Sequence, residues 1–177
     1  KLIKIKKFMI LGLLKEHGTE TRVALLPETV KAFTDLKVDV IVEQGAGEKA
    51  FASDADYEAV GGKIVSRADV FKTAEVLLQI QPPADGDTEK IKDSQVWISA
   101  FNPLWETDLV KTFLKKGITT FSLDLIPRTT RAQAMDILSS MATVSGYMAV
   151  LEAAAKLPTF FPMFMTAAGT IRPANVL

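Results

Sequence analysis

Six short apolar runs punctuate the first 125 residues: FMILGLL (8–14), VDVIVE (38–43), KIV (63–65), EVLLQI (75–80), QVWISA (95–100) and ITTFSL (118–123). They are rich in Val, Ile, Leu and Phe and nearly continuous in their apolar character, the signature of strands buried on both faces. Between them lie PETVKAFTDL, DADYEAV, SRADVFKT and LWETDLVKTFLKK, which carry helical patterning. Strands alternating with helices predict an α/β, doubly wound, mostly parallel sheet of the Rossmann-like or flavodoxin-like kind, with helices on both faces. Local signals agree. Pro27 sits where a first-turn proline belongs, Ser66 and Asp69 have capping-box spacing, and Gly61 and Gly117 follow their helices as C′ residues. QPPADGD (81–87) reads as a loop, because prolines, Asp and Gly cannot continue a central strand.

From about Thr130 the pattern changes to one long helix reaching about Leu157, followed by LPTFFPMFMTAAGTIRPANVL. The closing ANVL reads as a strand just beginning. This organisation predicts an N-terminal α/β domain over 1–140, then a linker helix and the start of a truncated Rossmann domain over 141–177. Ala142, Ser145, Gly146, Ala149 and Ala153 form a stripe of small side chains at helical spacing. Gly146 costs about 1 kcal/mol in a helix interior, so the stripe implies close packing, at a domain junction or in a dimer. Met163, Phe164 and Met165 read as interdomain core, and Trp97 and Trp105 as packing residues.

Composition narrows the function classes. The 177 residues balance 21 basic against 21 acidic side chains, so no whole-chain field attracts nucleic acid, and none is expected as a partner. Cysteine is absent and histidine occurs once, which removes thiolate and multi-histidine metal sites; no metal is expected. That histidine, His17, reads as an exposed loop residue. The opening KLIKIKKF alternates lysine with apolar residues and lacks a signal-peptide core. No uninterrupted apolar run approaches the ~18 residues of a membrane span, since Glu152, Lys156 and Pro158 break the longest candidate. A cytoplasmic setting is expected.

One polar segment stands out against this background: IPRTTRAQAMDILSSM (126–141), after the sixth apolar run. Ligands of open α/β sheets bind beyond the carboxyl ends of strands, which is where this segment falls in sequence. Thr130 and Gln133 also have capping-box spacing, and Asp136 suits the first turns of a helix. The residues by themselves leave both readings open.

KEHGTETRVALLPETV (15–30), VEQGAG (42–47), PRTTRAQAMDILSSMA (127–142) and FPMFMTAAGTIRPANVL (161–177) resemble the NAD(H)-binding component of proton-translocating nicotinamide nucleotide transhydrogenase. ETRVALLPE and GAG are shared with alanine dehydrogenase. No G-x-G-x-x-G occurs, and in both families that fingerprint belongs to a Rossmann domain that follows this half. The resemblance implies that Arg128, Gln133 and Asp136 form a catalytic loop over the nicotinamide of NAD(H), with Ser139 contributing to cofactor binding. It further implies a homodimer, NADP(H) on a partner domain, membrane-spanning partner components that translocate protons, and a peripheral position at the inner face of the cell membrane. Arg131 receives no role and is expected to be solvated. This chain alone is expected to be inactive. At the lysine and histidine positions with which alanine dehydrogenase holds pyruvate, this chain carries Gln81 and Asn102; Arg22 keeps the shared arginine position. Neutral amides supply neither the cation nor the titrating group of that chemistry. An alanine dehydrogenase-like oxidoreductase is thus the second reading, and a non-catalytic docking or dimerisation module the third.

Overall fold

The computed structural model describes residues 9–175. The lysine-alternating opening and the last two residues of ANVL lie outside that range. The chain divides into two compact units, residues 1–126 and 127–177.

The first unit realises all six expected strands, all but the third shorter than the apolar run that marked it: β1 (Ile10–Leu13), β2 (Asp39–Glu43), β3 (Lys63–Val65), β4 (Val76–Leu78), β5 (Val96–Ser99) and β6 (Thr119–Ser122). All five neighbouring pairs are parallel, in the order β3-β2-β1-β4-β5-β6, which is the Rossmann order rather than the flavodoxin one. Strand alternation sorts the core into two layers. Leu11, Leu13, Val40 and Val42 pack with Val30 of α1 (Pro27–Asp35) and Tyr57 of α2 (Asp54–Ala59). Ile41, Leu77 and Trp97 face the other way, onto Val70 and Phe71 of α3 (Arg67–Thr73), Ile91 after α4 (Asp87–Lys90) and Phe113 of α5 (Thr107–Lys116). Gly12 lets α3 approach β1, because a Cβ there would lie 2.7 Å from both Ala74 Cβ and Val70 Cγ1.

Helix boundaries follow the local chemistry. Pro27 opens α1, and Gly117 ends α5 in the left-handed conformation at φ 66°. Ser66 caps α3 by accepting from Asp69 N, and its hydroxyl donates to the Asp69 carboxylate. A complete capping box also forms at a place the sequence patterning did not single out, between Ser53 and Asp56 ahead of α2. The short α4 begins at Asp87, inside the stretch expected to be loop, after Gly86 turns the chain at φ 78°. Trp97 is fully buried, whereas Trp105 is 80% exposed, so the packing role expected of Trp105 is not realised.

The GAG of residues 45–47 is a structural turn. A Cβ on Gly47 would sit 2.6 Å from the Ala52 carbonyl oxygen and 2.7–2.8 Å from the ring and hydroxyl of Tyr57. Tyr57 is wholly buried and donates to the Leu25 carbonyl at 2.7 Å, so it has no room to yield. Gly47→Ala should therefore cost about 1–3 kcal/mol in urea unfolding. Gly146→Ala, which meets nothing within 4 Å, should instead stabilise by up to about 1 kcal/mol.

The second unit holds α6 (Ile137–Lys156) and a hairpin of β7 (Phe164–Thr166) and β8 (Gly169–Ile171). The helix starts seven residues later than expected, at Ile137 rather than Thr130, and a hairpin forms within the stretch that follows it. By length and composition α6 could cross a membrane, at a mean hydropathy of 1.3; its Glu152–Lys156 ion pair is the interruption seen in the sequence. Met163, Phe164 and Met165, expected as interdomain core, are exposed among the described residues. Nothing lies close to Gly146, so no contact among the described residues accounts for the small-residue stripe.

Candidate functional site

Two polar regions merit comparison, one in each unit. In the first unit the strand order reverses at β1, so its crevice lies between the carboxyl ends of β1 and β4, the usual ligand position in such sheets. Here the chain's own groups take the available donors. Glu16, only 5% exposed, accepts from Ile80 N at 2.6 Å and Gln81 N at 3.1 Å. Burial pushes its carboxyl above the usual range, against the pull of those two amides. His17 is half-buried rather than exposed: its amide donates to Gln81 Oε1, and its Nε2 lies 3.0 Å from the Pro82 carbonyl. Arg22 is held by Glu20 through paired contacts of 2.9 and 2.7 Å, and that guanidinium brings the Glu20 carboxyl down to about 2. Asn102 turns the chain at φ 46° and its carbonyl starts the turn before α5. No free cation is assembled at Gln81 or Asn102 among the described residues.

The second unit contains a hollow of about 270 Å³ lined by Arg128, Thr129, Thr130, Gln133, Asp136 and Ser139. All four residues singled out in the sequence converge on it. The two threonines were missed as lining residues, because Thr130 read as a cap and Thr129 carried no signal. The backbone explains the convergence. The Thr129 carbonyl accepts from Ala132 N and Gln133 N, which draws residues 129–133 into a tight turn. A single 3-10 turn, Gln133–Met135, follows and delivers the chain to Asp136.

Asp136, not Thr130, is the N-cap of α6. Its carboxylate accepts from Leu138 N at 3.0 Å through Oδ1 and from the Ser139 hydroxyl at 2.6 Å through Oδ2. The Ser139 hydrogen bond, opposed by burial and helped by the Leu138 and Ser139 amides and by the Arg128 charge, holds this carboxyl below the usual range. The T-x-x-Q capping box is therefore corrected: no side-chain cap precedes the 3-10 turn. With Asp136 as the cap, Thr130 and Gln133 have no structural duty, and among the described residues no hydrogen bond or ion pair engages the side chains of Arg128, Thr129, Thr130 or Gln133. Arg131 is exposed, as expected, and is not among the residues that line the hollow.

Chemically the hollow offers donors from Arg128, mixed donor–acceptor groups from Gln133 and the threonines, and one ionised carboxylate already committed to its own helix. The one hydroxyl–carboxylate pair among its lining residues, Ser139 with Asp136, is committed to the start of α6, which Asp136 caps. Such a set can bind and orient a polar, planar group; it is not equipped to move protons. No group of three or more Asp, Glu or His side chains that could hold a metal ion occurs among the described residues.

Known proteins share this arrangement of elements. The chain is 38% identical over 159 residues to NAD(P) transhydrogenase subunit alpha of Cereibacter sphaeroides, covering 89% of this chain and 30% of that one. It is 31% identical over 144 residues to alanine dehydrogenase of Methanococcus maripaludis, covering 80% of this chain and 38% of that one. The crystal structure of transhydrogenase from Sinorhizobium meliloti superposes with a TM-score of 0.86 at 39% identity, covering 93% of this chain and 50% of that one. The chain thus spans half or less of each of these proteins. Residues 12–145 match the family model described as alanine dehydrogenase/PNT, N-terminal domain, and to that family this chain belongs.

Proposed function

We propose that this chain is the N-terminal portion of the NAD(H)-binding component of a proton-translocating NAD(P) transhydrogenase, and that it supplies the loop facing the nicotinamide of NAD(H). The observation that carries this reading is the hollow at 128–139, where Arg128, Gln133 and two threonines present unengaged polar groups and the one hydroxyl–carboxylate pair, Ser139 with Asp136, is committed to the start of α6. NADH supplies the hydride and NADP+, on a partner domain, receives it, so the protein need provide only geometry, with reacting carbons about 3–3.5 Å apart. Arg128 donates to the carboxamide oxygen. Gln133 can donate and accept, which suits a primary amide or a ribose hydroxyl. Asp136 fixes where α6 begins and what Ser139 offers the hollow.

On this reading residues 141–177 lead into a Rossmann domain that holds the pyrophosphate and adenosine, and the protein works as a homodimer against membrane-spanning partners at the inner face of the cell membrane. The chain alone then lacks most of the binding energy for NADH and is inactive.

The test is hydride transfer from NADH to an NADP+ analogue by the complete protein with its NADP(H)-binding partner. An alanine dehydrogenase activity is the second reading, supported by the more distant relatives. Gln81 and Asn102 weigh against it, since Gln81 is tied to Glu16 and His17 and neither side chain is a cation. The complete protein should not oxidise NADH with pyruvate and ammonia. Alanine formation at saturating substrates, with no transfer between nicotinamides, would reverse the order of the two readings.

A further inference from the structure

The contact between Asp136 and Ser139 has a directional consequence. The Ser139 Oγ to Asp136 Oδ2 distance is 2.6 Å. An ionised carboxylate can only accept, so the serine hydroxyl hydrogen must lie on this line. Ser139 nevertheless lines the hollow. What it turns toward the hollow is therefore lone pairs and no hydrogen. The remaining Asp136 oxygen is taken by Leu138 N. On the α6 side, then, the hollow is a polarised acceptor that cannot reverse its sense while Asp136 is charged.

We propose that Asp136 is a specificity-determining positioning residue: by locking the Ser139 hydroxyl as an acceptor, it selects a carboxamide over a carboxylate on the bound pyridine ring. This rests on the nicotinamide reading of the hollow. A primary amide brings two N–H donors and one oxygen. Ser139 accepts one N–H, and Arg128 or Gln133 donates to the oxygen. A carboxylate in the same place turns an oxygen against the Ser139 lone pairs, with the Asp136 charge directly behind them. Arg128 pulls the other way, because a guanidinium favours an anion. Arg128 is exposed and its pull is weakened by water, whereas Asp136 is 3% exposed and the Ser139 hydroxyl it holds lines the hollow. The hydroxyl decides the sign.

The substitution Asp136→Asn isolates this effect. Asn and Asp are equally good N-caps, so the carboxamide oxygen introduced there still accepts from Leu138 N. The amide nitrogen beside it, however, donates to Ser139 Oγ. The serine hydrogen is then released into the hollow, and the acceptor becomes a donor. The helix start is kept while the recognition sense is inverted.

The experiment is calorimetric titration of the full-length protein with NAD+ and with nicotinic acid adenine dinucleotide, which differ only in amide against acid. The parent should prefer the amide by at least about tenfold, the value of one hydrogen bond lost against a fixed acceptor. Asp136→Asn should reduce or invert that ratio by about tenfold while its melting temperature stays near that of the parent. Ser139→Ala should bring the ratio close to one, and it carries the test if Asp136→Asn proves unstable. Ratios within twofold in the parent, or a ratio unmoved by both variants, would overturn the selectivity while leaving the nicotinamide site standing. Binding of neither dinucleotide would instead remove the nicotinamide reading, and this inference with it.

Discussion

Arg128→Ala in the complete protein should slow hydride transfer by about 100-fold while changing NADH affinity much less. The two quantities separate because the second half, present in the relatives, would carry most of the ground-state binding through pyrophosphate and adenosine. Under the proposed function Arg128 would contribute one or two hydrogen bonds at the far end of the cofactor. Its loss widens the range of ring positions, and misplacement of about 1 Å costs on the order of 100-fold in rate. A structural role would show differently. Arg128 caps nothing and pairs with nothing among the described residues, so its removal should leave the melting temperature unchanged. Asp136→Ala, by contrast, removes the cap of α6 and should lower it. Single-turnover transfer and thermal melting on both variants distinguish the roles. A transfer rate for Arg128→Ala within twofold of the parent would show that this loop does not orient the ring.

The largest stability effect should come from Arg67→Met, at about 3–5 kcal/mol. Arg67 stands at the start of α3 and joins three other segments. Its Nη1 contacts Glu43 Oε2 at 2.6 Å and the Lys15 carbonyl at 3.3 Å, and its Nη2 contacts Asp87 Oδ2 at 2.5 Å. The Asp87 side chain is 3% exposed and keeps only Lys90 when Arg67 is gone. A buried carboxylate left with one of its two cationic partners, and that one half-exposed, is what makes the loss large. A domain of this size has about 5–15 kcal/mol in all, so the variant should unfold at markedly lower urea. Asp87→Asn in the Arg67→Met background should recover a fraction of the loss.

The same pair sets a pH dependence. Burial pushes the Asp87 carboxyl up, but the hydrogen bonds from Arg67 and Lys90 outweigh it, and the net direction is downward. A lowered folded value means that the unfolded chain binds more protons over that interval, so stability falls as pH falls. The contribution is complete above the ordinary carboxylate range and is lost as pH drops through the lowered value. Arg67→Met should flatten that acid limb. A loss under about 1 kcal/mol with an unchanged acid limb would show that water, not Arg67, satisfies Asp87.

Much of this was legible in one dimension. The six strands were readable because a strand buried on both faces must be apolar along its whole length, a property stated by a few consecutive residues. Pro27, Ser66, Gly61 and Gly117 were readable for the same reason, since caps and turns are chemistry between near neighbours. The convergence of Arg128, Gln133, Asp136 and Ser139 was half legible. Their spacing allowed it, but the resemblance, not the spacing, singled them out.

What only the folded chain decided was every choice between locally equivalent partners. Thr130 and Asp136 are both competent N-caps, and no local rule ranks them. The turn closed on the Thr129 carbonyl delays the helix to Ile137 and hands the cap to Asp136. Tertiary structure also chose Glu43 and Asp87 as partners for Arg67, and the amides of Ile80 and Gln81 for Glu16, across 64 and 65 residues in the latter case. Strand order brings those groups together, and strand order depends on which apolar faces find each other, a competition among distant segments that no short window contains. Side-chain patterning set which residues must be buried; the pairing of the charges buried with them waited for the sheet.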